Sequence, residues 1–213
     1  MLRYLYFASL GSFGKANMKR LILYASIMLT VACTSPADPV EETPHVRQLN
    51  NDRLHSIIAD MVSQARQYQY TGNADVDFAS ILRIHHQAAI RMAQREVDWG
   101  KDAILVNFAK VTVASENTEI NRLDPFMHKN TPVNKSPEFV DQFKKLIIHP
   151  HEATESGPMD SLFAKLMSKQ YESAISLCTV YLKYAKDTLL KRIVLDILTS
   201  HRRNTEFLRP WRN

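Results

Sequence analysis

The sequence predicts an all-α bundle built from two repeated three-helix units, and three observations carry that expectation. Apolar residues recur at helical spacing from about residue 49 to residue 211. No alternating apolar run and no hairpin turn dipeptide competes with them. Sliding the chain against itself by 85 residues lays Gly72, Asp75, Phe78, Ala79, Ala89, Ile90, Ser115, Leu123 and Pro125 onto Gly157, Asp160, Phe163, Ala164, Ala174, Ile175, Ser200, Leu208 and Pro210. One ungapped offset keeps a loop glycine, a helix-start Asp and a terminal proline in register together, which chance likeness between amphipathic helices would not do.

The N-terminal part reads as export signals rather than structure. Residues 1–17 are an upstream extension. From Met18 the run MKRLILYASIMLTVAC has a basic start at Lys19 and Arg20, then about 12 apolar residues, then Cys33. That run is well short of the ~20 residues a bilayer-spanning helix needs. Ala32 before Cys33 resembles a bacterial lipobox, so residues 18–32 are expected to be a lipoprotein signal peptide and Cys33 the lipidated residue; the alternative is an uncleaved leader. Removing residues 1–32 takes away Arg3, Lys15, Lys19 and Arg20 and no acid, so the 27 basic residues fall to 23 against 22 acidic ones. The mature chain is near neutral, which removes the main support for a nucleic-acid partner. Residues 33–49 (CTSPADPVEETPHVRQL) read as a flexible tether, rich in Pro and acids with little to bury.

The domain proper is expected over 50–213, with repeat units at about 54–126 and 139–211. Helices are predicted at 49–69, 75–98 and 102–124, broken at Gly72 and Gly100 and stopped at Pro125. Their second-unit counterparts are predicted at 137–148, 159–184 and 186–208, and Asp75 and Asp160 are expected to cap the two middle helices. With 5 Gly in 213 residues there is no GxxxxGK[ST] and no GxGxxG, which argues against nucleotide-binding loops. A lipidated Cys33 leaves Cys178 as the remaining thiol, in the slot of Ala93, where a small apolar residue is expected.

The chemistry sits on the first unit. At 100° per residue His85 falls near the middle of the buried face of the second helix and His86 at its edge, while Glu116 and Glu119 share the apolar face of the third. Antiparallel packing about Gly100 sets His85 level with Ser115 and Glu116. His85, His86, Glu116 and Glu119 are therefore expected to form a polar cluster suited to a transition metal, with Met92 and Met61 able to add thioether sulfur for Cu(I). The second unit carries Gln170, Tyr171, His201 and Asn204 at the equivalent places. A layer of that kind also fits a packing role without metal, in which a buried His is satisfied by a carboxylate. His149-Pro150-His151-Glu152 reads as a solvated loop, and Glu42-Thr43-Pro44-His45 as tether, Pro44 speaking against a helix there.

The segments TGNADVDFASILRIHHQAAIRMA and FAKVTVASENTEINRL resemble the ferritin-like helical family known as domain of unknown function 305. Asp77, Phe78, His85, His86, Gln87, Ala88, Ile90, Met92, Ala93, Glu119 and Ile120 match its pattern, well over about 54–126 and weakly over 139–211. The resemblance implies a ferritin-like bundle and an exported bacterial protein, with copper binding and copper tolerance associated with some members. Leu82 stands where the family often has Met, and Glu116 where it commonly has Gln, which moves the site towards zinc, iron or a plain His–Glu pair.

The resulting expectation is a lipoprotein of the bacterial cell envelope, facing the periplasm and held at the outer membrane more readily than the inner. It binds one transition-metal ion, copper or else zinc or iron, without catalysis, through His85, His86, Met92, Glu116 and Glu119. Its partners are the metal ion and, through Cys33, the membrane, with unknown envelope proteins and no nucleic acid. The rival reading is an envelope structural or interaction protein whose His/Glu layer fixes helix packing.

Overall fold

The computed structural model describes residues 42–128, 136–148 and 155–212. Six helices account for them: α1 (Pro44–Gln67), α2 (Ala74–Trp99), α3 (Ala103–Met127), α4 (Pro137–Ile148), α5 (Met159–Tyr181) and α6 (Thr188–Leu208), followed by a 3-10 turn at Arg209–Trp211. The fold is an all-α six-helix bundle, with no strand among the described residues. The upstream segment 1–17, the signal 18–32, Cys33, the tether as far as residue 41 and the loop His149–Glu152 lie outside the described residues.

Helix α1 starts earlier than predicted. The Thr43 hydroxyl accepts from the Val46 amide, and Pro44 occupies the first helical turn. There a proline costs nothing, because its missing N–H would be unpaired anyway. Pro44 thus opens a helix that it had been expected to oppose, and residues 44–49 are helical rather than tether. The helix buries Leu54, Ile57, Ile58, Met61, Val62 and Ala65, a face repeating at three and four residues. Gly72 turns the chain with φ 84, a conformation that favours glycine. The buried Asp77 ties that turn down by accepting from Tyr68 Oη, Thr71 N, Thr71 Oγ1 and Gly72 N.

Asp75 and Asp160 do not cap their own helices. Asn73 caps α2, and α5 has no side-chain cap. Asp160 accepts from Lys101 N and Asp102 N at the start of α3, while Asp75 accepts from Lys186 N and Asp187 N at the start of α6. Each aspartate therefore fixes a helix start 58 or more residues away. Asp102 and Asp187 then cap α3 and α6 through their own side chains. Pro125 does not end α3, which runs on to Met127; in the last turn a proline removes a single helical hydrogen bond.

The core forms two apolar clusters. One holds Leu54, Ala88, Met92, Leu105, Leu162 and Met167, the other Phe78, Leu82, Leu123, Phe143, Leu177 and Ile197. His85 and His86 on α2, and Thr112, Glu116 and Glu119 on α3, fall between the stretches of those helices that belong to the two clusters.

Candidate metal centre

The polar layer between the clusters is built by α2, α3 and α6. His86 comes from α2, Glu116 and Glu119 from one face of α3 at a three-residue spacing, and His201 from α6. The His86 Nδ1 edge is in direct ion-pair contact with the Glu116 carboxylate, and His86 Nε2 lies 3.5 Å from Glu119 Oε2. The His201 ring meets His86 edge-on, with centroids 5.6 Å apart. One ligand atom from each of the four lies within 4.8 Å of all the others. His86, Glu116 and His201 are about 1% exposed and Glu119 is 8% exposed, so Glu119 is the member nearest solvent.

Burial dominates the electrostatics. Desolvation lowers the pKa of His86 below the ordinary imidazole value, against the pull of Glu119. It lowers that of His201 to about 4, against the pull of Glu116. The same cause raises Glu116 and Glu119 to about 7 each, partly offset by His201 and His86 respectively. Both imidazoles are therefore neutral at pH 7, with lone pairs available, and both carboxyls stand near the point of giving up a proton.

Among the described residues His201 Nδ1 has no hydrogen-bond partner, and His86 Nε2, Glu116 Oε2 and Glu119 Oε2 have none beyond the ion-pair contacts within the cluster. Converging buried polar atoms with so few partners are costly, and an unpaired group such as His201 Nδ1 costs roughly 1–3 kcal/mol. A cation between them removes that cost. The set of two imidazole nitrogens and two carboxylate oxygens can hold one transition-metal ion.

The expected residues divide between two places. His86, Glu116 and Glu119 stand together with His201. His85 points instead towards α5, where the Gln170 amide nitrogen lies 3.1 Å from its Nδ1, 3.0 Å from its backbone oxygen and 3.1 Å from Met61 Sδ. The carboxylate partner of the His pair is thus reached by His86, not by His85 as the antiparallel register had implied. His86, expected at the edge of the buried face, is fully buried, with His201 of α6 against its ring. Met92 is fully buried in the apolar cluster with Met61 and Leu105. Cys178 is a free, fully buried thiol whose pKa burial raises far above the usual range, as a core residue requires.

The residue that sequence reasoning left out of the cluster is His201. The 85-residue offset held the signal: His86, Glu116 and Glu119 align with Tyr171, His201 and Asn204. The sequence pattern assigns these to a second, altered layer, whereas His201 reaches the same place as its counterpart. Tyr171 belongs there too. Its ring lies 4.7 Å from that of His201, its hydroxyl is 3.5 Å from Thr112 Oγ1, and it shares hydrogen bonds with Glu116 and Asn204.

These features define a class: a helical bundle with a buried His/Glu centre able to take one metal ion. Residues 29–127 match the sequence model of the family described as domain of unknown function DUF305. No curated protein matches the chain. It is similar to a solved structure described as CopM in the Ag-bound form (by soaking), at TM-score 0.49 and 17% identity, over 67% of this chain and 96% of that one. Among the described residues no helix is long and apolar enough to cross a membrane.

Proposed function

We propose that the protein is an exported, lipid-anchored metal-binding protein that holds one ion without catalysis. The carrying observation is the convergence of His86, Glu116, Glu119 and His201 within 4.8 Å, buried and short of hydrogen bonds. Two neutral imidazoles and two carboxylates favour borderline divalent ions, so Cu(II), Zn(II) and Fe(II) rank above Cu(I). If copper is the ion, it is bound as Cu(II); the thioethers that Cu(I) prefers belong to Met61, beside Gln170 and His85, and to Met92, in the apolar core. Sequestering such an ion in the envelope is a metal-tolerance role, with Cys33 carrying the lipid and the domain facing the periplasm.

The bundle is further read as a duplicated three-helix unit of ferritin-like type whose halves jointly build the site. Supporting this, the contact of Asp160 with Lys101 and Asp102 has its counterpart, shifted by 85 residues, in the contact of Asp75 with Lys186 and Asp187.

The experiment is a calorimetric titration of the protein with Cu(I), Cu(II), Zn(II) and Fe(II), beside His86→Ala and Glu119→Gln. One divalent ion per chain, weakened in both variants, is the expected result. If no ion binds the wild type, the layer is structural, and the rival reading of an envelope packing or interaction protein takes its place.

A further inference from the structure

The four-residue donor set does not exhaust the polar groups at the centre. Under the 85-residue offset six positions pair off as His86 with Tyr171, Glu116 with His201 and Glu119 with Asn204. Four of the six supply the ligand atoms already described, and the fifth is a phenol. Tyr171 is 1% exposed and stacks obliquely on His201, with ring planes at 46°. Its hydroxyl faces Glu116 and has two potential donors, the Thr112 hydroxyl and the Asn204 amide.

We propose that Tyr171 is a further ligand of the centre, binding as a phenolate to a hard, highly charged ion such as ferric iron. The proposal rests on the metal-binding reading above and extends its donor set to two nitrogens and three oxygens. On binding, the O–H bond of Tyr171 breaks, its electron pair forms the oxygen–metal bond and its proton passes to bulk water; no oxidant or reductant takes part. Thr112 and Asn204 then donate to the phenolate oxygen.

Three oxygen donors beside two imidazole nitrogens make a hard set, which favours a highly charged cation such as Fe(III). A phenylalanine would satisfy the packing of this position and would lack the hydroxyl.

The test is to load the protein with Fe(III) supplied as its nitrilotriacetate chelate and to record visible absorption and resonance Raman spectra. The expected result is a phenolate-to-iron charge-transfer band with tyrosinate ring modes, abolished in Tyr171→Phe and kept in Tyr181→Phe, whose hydroxyl bonds Asp75 instead. Ferric binding without the band, or a band unchanged in Tyr171→Phe, overturns the proposal. So does failure to take up ferric iron; a parallel Zn(II) titration then separates the two levels, because uptake of Zn(II) leaves the four-residue site standing and uptake of neither ion removes both. Should Tyr171→Phe fail to fold, the Raman spectrum of the wild type decides, since absence of tyrosinate modes is fatal.

Discussion

His86 carries the centre, because it touches both carboxylates of α3 and the ring of His201. Replacing it with alanine opens a cavity and leaves Glu116 without its contact. His86→Ala should lower stability by on the order of 3 kcal/mol, read as a shift of the urea midpoint. The pKa shifts give the ion-free site two opposed pH dependences. The carboxyls, raised from 4.5 to about 7, contribute stability that is complete below pH 4.5 and lost as pH rises through 7. His201, lowered from 6.5 to about 4, contributes stability present above pH 6.5 and lost as pH falls through 4. The two slopes offset each other between about pH 4.5 and 6.5. Metal must displace the carboxyl protons, so the gain in melting temperature on adding Zn(II) should grow from pH 5 to pH 8, and binding should release protons. A gain independent of pH across that range would place the ion elsewhere.

At the scale of helices, the exchanged aspartates join distant parts of the chain. On one side Tyr181 Oη donates to Asp75 over 2.6 Å, and Asp75 receives the first amides of α6. On the other, Glu96 occupies the place of Tyr181 against Asp160. Burial first, and then the neighbouring Asp160 carboxylate, raise Glu96 to about 9, so at neutral pH it is protonated and able to donate towards Asp160. Its contribution is fully present below pH 4.5 and lost as pH rises through 9, with a slope of at most about 1.4 kcal/mol per pH unit. Glu96→Gln keeps a donor and should flatten that slope in urea titrations between pH 5 and pH 9; an unchanged slope would show that Glu96 is ionised throughout. Gly100, by contrast, is required for space. A Cβ there would meet the Glu96 carbonyl oxygen at 2.6 Å, and helix backbone cannot retreat. Gly100→Ala should cost about 1–3 kcal/mol in thermal or urea unfolding. The helices themselves were legible because their apolar periodicity is long and uninterrupted. The partners of Asp75 and Asp160 were not, since a helix-start Asp reads as a local cap and nothing local says that Asn73 already fills that role. Pro44 misled for a related reason, because its effect depends on whether it falls in the first turn or further in.

Across the whole molecule, the centre joins residues 115 positions apart in the chain, from His86 to His201. Sequence reasoning reached the His85-His86 pair with Glu116 and Glu119 because they lie on two helices joined by a tight turn, although register from Gly100 pointed to His85 where His86 makes the contacts. It could not reach His201 that way, because the packing of α6 over α2 is set by long-range burial rather than by a short connection. A shared site also predicts that ion binding stabilises the bundle as one unit: at a free-ion concentration about 100 times Kd the gain is about 2.7 kcal/mol, and it should appear as an upward shift of one unfolding transition. The most direct test of the account is calorimetric titration of Zn(II) and Cu(II) into wild type and His201→Ala. The account predicts one ion per chain in the wild type and an affinity reduced more than about a hundredfold in the variant, beyond what loss of an outer-shell contact would cause. Equal affinity in the two proteins would contradict it, and would return the centre to the first half of the chain alone.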